Sequence, residues 1–199
     1  MNLRYLLLLA GMGIILTTLA CSNSMQLAYP KPPAAGADKG EVSIYVHDER
    51  APDRGGDDPL TVGVARNTFG MPFEIKAASN REPTMVVRAL ITDCLAAAGY
   101  KVAEASSNAP LLHAILKVFW SDGYQHSRMG LLLPMVLKQD PAAPAQWEHV
   151  VDINTGMTWG MGGFSQFNEG FNKMLEGARN DLIEEFGKPE FTSAYKSLE

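Results

Sequence analysis

The sequence predicts an α+β fold, a mostly antiparallel sheet with two main amphipathic helices packed on one face. Three observations predict it. Apolar residues recur at helical spacing in two stretches, from Val86 to Ala98 and from Phe171 to Phe186. Elsewhere they alternate with polar ones at the period of a strand. The chain order is strands, helix, several adjacent strands, helix; adjacent strands favour antiparallel pairing, and two helices then need one sheet face to cover.

The chain opens with Met1-Asn2-Leu3-Arg4 and then runs through residues 5–20 without a charge, the layout of a signal peptide. Its apolar run, residues 6–16, falls short of the roughly 20 residues a spanning helix needs. Thr17-Thr18-Leu19-Ala20-Cys21-Ser22 resembles a lipobox, with small Ala20 before the cut and Thr18 where Leu is usual. Residues 1–20 are therefore expected to be removed and Cys21 to carry the lipid, a diacylglycerol and palmitate. Two or three acyl chains hold a protein at a membrane stably, at about 0.8 kcal/mol per buried methylene. Ser22, in place of the Asp that retains lipoproteins at the inner membrane, points to the periplasmic face of the outer membrane. Residues 21–40 are rich in Ser, Pro, Ala and Gly and are expected to form a flexible tether. One folded unit is expected over residues 41–199.

Within it, Val42, Ile44 and Val46 alternate with Ser43, Tyr45 and His47, a half-buried strand. Residues 47–59 are crowded with Asp, Gly and Pro and form a loop. Residues 60–65 and 72–76 are short strands. Pro83 suits the first turn of a helix whose stripe is Val86, Leu90, Ile91, Cys94, Leu95 and Ala98, with Arg88 and Asp93 off it and Gly99 at its exit. A return strand begins at Tyr100. Leu112, Ala114, Leu116, Val118 and Trp120 alternate through one long strand, and its successor, residues 130–138, contains Pro134, which belongs at an edge or a bulge. After the turn at residues 140–144, residues 147–153 form a strand that Met157-Thr158-Trp159 extends or pairs with. Phe171, Met174, Leu175, Ala178, Leu182, Ile183 and Phe186 mark the second helix, stopped by Gly187 and Pro189, and a short helix closes the chain.

Charge and motif content narrow the function. Loss of the leader removes Arg4 and no acid, so the net charge moves from -5 to -6, and no basic stripe follows Cys21; nucleic acid is not an expected partner. With Cys21 lipidated, Cys94 has no disulfide partner, and its apolar neighbours make it a buried thiol. No metal spacing, nucleophile elbow or phosphate loop occurs, so no catalytic, cofactor or metal residues are expected. The glycine-rich residues 159–164 are read as a loop. His47, Asp48 and Glu49 sit side by side, but strand neighbours point to opposite faces, so a solvated strand end is expected. His113, His126 and His149 fall in different elements. The aromatic set Phe119, Trp120, Tyr124, Trp147, Trp159, Phe164 and Phe167 is read mainly as core, with a ligand groove as the alternative.

Together the lipobox at Cys21, residues 42–50, the helix exit Ala98-Gly99-Tyr100, the strand from Leu112 to Trp120, and the helix with Leu182, Ile183 and Phe186 resemble the YajG-like family of bacterial lipoproteins. The resemblance spans nearly all of the mature chain. It implies an outer-membrane lipoprotein with a mixed sheet and helices and no established enzymatic activity, and it supplies no functional residues beyond the lipidated cysteine. Thr18 and Pro134 depart from its pattern. The expected function is a membrane-anchored, non-enzymatic binding or assembly module with an envelope protein as partner. The alternative is a periplasmic carrier of a lipid or cell-wall fragment held between helices and sheet.

Overall fold

The computed structural model describes residues 24–33, 38–66, 70–104, 108–124, 126–158 and 164–199. The leader, Cys21 and the loop at residues 159–163 lie outside them, as do the side chains of Tyr124, His126 and Phe164. In chain order the elements are β1 Ser24–Met25, β2 Glu41–Asp48, a 3-10 turn Pro52–Arg54, β3 Thr61–Arg66, β4 Pro72–Ala77, α1 Pro83–Ala98, β5 Lys101–Ala103, β6 Leu111–Leu116, β7 Val118–Tyr124, β8 His126–Lys138, β9 Trp147–Thr158, α2 Phe164–Gly187 and α3 Pro189–Lys196.

The alternation seen in the sequence becomes two different sheet faces. Val42, Ile44, Leu112, Ala114, Leu116, Leu131, Leu133, Met135 and Leu137 turn to one side and are buried. Against them lie Val86, Val87, Leu90, Ile91, Cys94 and Leu95 of α1 and Phe167, Phe171, Met174, Leu175, Ala178, Leu182 and Phe186 of α2. Each Val, Leu, Ile, Met or Phe among them contributes about 1.5–3 kcal/mol by leaving water. Phe119 stacks on Phe171 with ring centroids 5.4 Å apart, joining β7 to α2. α1 ends as its sequence requires: Gly99 takes a left-handed φ of 95° and donates its N–H to the Ala96 carbonyl, and Tyr100 then enters the core. Short α3 adds Phe191 and Tyr195. The Tyr195 hydroxyl accepts the Glu41 N–H at 3.0 Å, and a Cβ on Gly40 would lie 2.0 Å from that hydroxyl, so only glycine fits there.

The α+β class holds, while the nine-stranded sheet is mixed. β3 with β4, β6 with β8, β7 with β8 and β8 with β9 are antiparallel. β1 with β4, β2 with β5, β2 with β6 and β3 with β7 are parallel. Adjacent strands do pair antiparallel where tight turns join them; the parallel pairs unite strands far apart in sequence, which local pattern does not report.

The long strand expected from Leu112 to Trp120 is broken at Lys117 into β6 and β7. Both pair with the same edge of β8. Ala114 pairs Met135 and Val118 pairs Leu132, so one strand advances one residue more than the other, a β-bulge. Pro134 stands beside this break. It therefore sits in an interior strand, paired on its other side with β9, where the ladder is already interrupted.

The expected tether differs over part of its length. Met25 and Leu27 are 3 % and 1 % exposed, β1 pairs with β4, and the Tyr29 hydroxyl donates to Asp93 at 2.9 Å. Lys31 adds an ion pair to the same Asp93 at 2.9 Å. Residues 24–33 thus form a strap on the domain, because its few apolar residues fit a groove that only the folded chain creates. Among the described residues no helix is long and apolar enough to cross a membrane.

Candidate functional site

The long helices α1 and α2 lie on one side of the sheet with α3 beside them, which leaves the other side without a helical cover among the described residues. The even-numbered residues of β7 and β8 and the odd-numbered ones of β2 and β6 point there. Ile115, Val118, Trp120, Leu132, Pro134 and Val136 are half-buried along this outer face, and Val150 of β9 is 53 % exposed. They form a continuous apolar belt, since Val118 stands opposite Leu132 and Pro134 opposite Val150. Scattered exposed apolar residues are ordinary, whereas a contiguous patch marks a surface that meets something. The belt is rimmed by Glu148, Asp152 and Asn154 on β9.

At the β2 end the belt gives way to a cleft of about 850 Å³. The register builds its floor: Ser43 lies beside Leu111 and Tyr45 beside His113 in the parallel β2–β6 pair, and Leu111 stands opposite Lys138. Asn108, Ala109 and Pro141 rise as walls. β5 covers β2 only as far as Ser43, so the edge of β2 beyond it is open. There Arg88 reaches across from α1 and donates to the Ile44 carbonyl.

Tyr45, His47 and His113 make an aromatic cluster, with the His113 ring 5.2 Å from Tyr45 and 6.4 Å from His47. The Tyr45 hydroxyl and His47 Nδ1 share a 3.3 Å hydrogen bond, and His47 Nε2 approaches Glu49 at 3.6 Å. Burial, then the positive charge of Lys138 and the neighbouring His47, push His113 below the ordinary histidine value, with Glu49 opposing. The neutral imidazole is thereby favoured over the charged one. Its Nε2 is buried and meets no partner. An unmade hydrogen bond at a buried nitrogen costs stability.

Asp48 does not join this cluster. It turns to Arg50, whose Nε and Nη2 donate to its carboxylate at 3.0 and 2.9 Å. Arg50 is 4 % exposed and also donates to the carbonyls of Thr61 and Pro59, each at 3.0 Å, closing the loop between β2 and β3. Nothing in local pattern marks this arginine; a charged residue in a polar loop reads as solvated until the fold buries it. His149 meets Asp181 at 2.7 Å and Glu185 at 3.7 Å beneath α2. Burial works to raise the Glu185 carboxyl, but the Lys188 ammonium, His149 and the Trp147 indole outweigh it and hold it below the usual range. This network ties β9 to α2. His113 and His149 therefore lie on opposite faces, and His126 falls outside the described side chains.

Cys94 is fully buried, donates to the Arg179 carbonyl at 3.7 Å, and is pushed up to about 12 by burial, then by Asp93. It is an inert thiol. Of the aromatic set, Phe119, Trp147 and Phe167 are core and Trp120 lines the outer belt. The space between helices and sheet, where the alternative carrier reading would hold its ligand, is occupied by the core side chains Phe119, Phe171, Phe186 and their neighbours. The large cleft is on the other side.

No family model matches the chain, and no curated protein matches it either. Solved structures do. A crystal structure of a Xanthomonas campestris protein of the DUF330 family is 14 % identical and covers 88 % of this chain and 98 % of its own, with a TM-score of 0.59. The two share a fold. A minor lipoprotein of Acinetobacter baumannii overlaps 74 % of this chain and 91 % of its own at 6 % identity and a TM-score of 0.43. A lipoprotein of Neisseria meningitidis overlaps 69 % and 94 % at 12 % identity and a TM-score of 0.36. Nothing about this chain follows from these two shallower overlaps.

Proposed function

We propose that this chain is a lipoprotein of the bacterial envelope, anchored through Cys21 at the periplasmic face of the outer membrane, and that its domain is a non-enzymatic binding or assembly module. The anchor rests on the leader and the lipobox, and the YajG-like resemblance agrees with it. The observation that carries the module reading is the one-sided cover of the sheet: the apolar belt from Val118 to Val150 is held rigidly by the long β7–β8–β9 ladder and left open to a partner. Rigid, flat, mostly apolar faces with a polar rim are what protein interfaces are built from. The partner is an envelope protein with a matching apolar patch.

A photo-crosslinking residue in place of Val150, expressed in the host, tests this directly. One discrete adduct is expected, lost when Leu132→Glu places a charge in the belt. Absence of any adduct at Val150 or Val136 would sink the docking face. Intact-mass analysis of the membrane fraction beside Cys21→Ala tests the anchor separately: the wild type should begin at Cys21 with added acyl mass.

A further inference from the structure

The cleft beside β2 has a chemistry that the belt lacks. Two permanent positive charges line it: Arg88 enters round the open edge of β2 and Lys138 rises from β8, with β6 between them. Lys138 uses one of its N–H groups on the Pro141 carbonyl at 2.8 Å. The His113 ring lines the same cleft, with its Nε2 turned inward and buried. The carboxylate in the lining, Asp140, accepts the N–H groups of Ala142 and Ala143 at 2.8 and 3.0 Å. Glu41 and Glu199 line a separate cleft beyond Asn108 and Gln139. The balance in the main cleft therefore favours an anion. Its remaining surface is mostly apolar, formed by Tyr45, Ala109, Leu111 and Pro141. A volume of about 850 Å³ is that of a small-molecule site, far more than a bare inorganic ion fills.

We infer that this cleft binds a phosphate monoester carrying an apolar chain, with the phosphate between Arg88 and Lys138 over the His113 ring and the chain along Ala109, Leu111 and Pro141. Two fixed cations match a doubly charged phosphate, and charge-assisted hydrogen bonds to it are the strong kind. The site is separate from the apolar belt, and neither depends on the other.

Calorimetric titration of the full chain, purified from its host and held in phosphatidylcholine nanodiscs with empty discs as the blank, tests it with four probes. Hexyl phosphate is expected to saturate one site at least tenfold more tightly than inorganic phosphate or hexanol. Lys138→Met keeps the length of the side chain without its charge and is expected to weaken hexyl phosphate by roughly tenfold. Arg88→Gln serves as the second variant, and an unchanged urea midpoint shows that either one folds. Dihexanoyl phosphatidic acid separates the sources of the ligand: tighter than hexyl phosphate assigns a lipid headgroup, weaker assigns a soluble phosphate ester. No saturable binding of hexyl phosphate, equal binding of hexanol or of inorganic phosphate, or full affinity in both folded variants would overturn the site.

Discussion

The two faces of the sheet are made from the same strands and have opposite fates. On β8, Leu133 is fully buried under the helices while its neighbour Leu132 is half-buried on the outer belt. On β6, Leu112 and Ala114 are sealed in the core while His113 between them opens onto the cleft. One face holds the fold and the other is free to recognise, because a strand gives alternate residues to each side and only one side is paired with helices. Leucine is thus not a marker of core in this protein; the side it points to decides.

Substitution of adjacent residues gives the largest expected effect. Leu133→Ala should cost about 3 kcal/mol, the transfer loss plus a cavity, whereas Leu132→Ala should cost under about 1 kcal/mol, both read by urea unfolding. Equal losses would show that the outer belt is packed and break the comparison of the faces. Next comes Arg50, the buried charge at the sheet's waist. Arg50→Ala leaves the Asp48 carboxylate and the carbonyls of Thr61 and Pro59 without their donor, and a loss of about 2–3 kcal/mol is expected, below the cost of breaking a fully buried pair because Asp48 is partly solvated.

A smaller effect belongs to pH. His113 is held below its ordinary value by burial, Lys138 and His47, so the unfolded chain binds its proton first and stability falls as pH drops below that ordinary value. His113→Phe should flatten the stability profile between pH 7 and pH 5 while leaving the neutral-pH value nearly unchanged. A profile identical to wild type would show that His113 is solvated and the cleft floor more open than described. The smallest stability effect is expected at Val150→Glu, within about 0.5 kcal/mol as for surface positions generally, with loss of partner capture as its sole phenotype. A large destabilisation there would place Val150 in the core.

The contrast of the faces also explains what was legible beforehand. The strip of Val86, Leu90, Ile91, Cys94 and Leu95 could be read from spacing because helical neighbours are three and four residues apart in the chain. The Gly99 exit, the strand alternation and the buried thiol of Cys94 were legible for the same local reason. The strap at residues 24–33 was not, since Met25 and Leu27 acquire their value only from a groove made by β4 and the helices. The site was harder still. His47 and His113 are 66 positions apart by their numbers and meet through a parallel pairing that no local pattern announces.

By itself the sequence determined the leader pattern, the order of most elements, the two helical stripes and a bulge or edge at Pro134, all of which depend on neighbours within a few residues. Tertiary structure alone decided that the sheet is mixed, that β6 and β7 break at Lys117, that Arg50 is buried, and that Arg88, His113 and Lys138 share one cleft. The physical reason is the same throughout: local periodicity sets which face of an element is apolar, but which faces meet, and which stay open, depends on packing the whole chain at once.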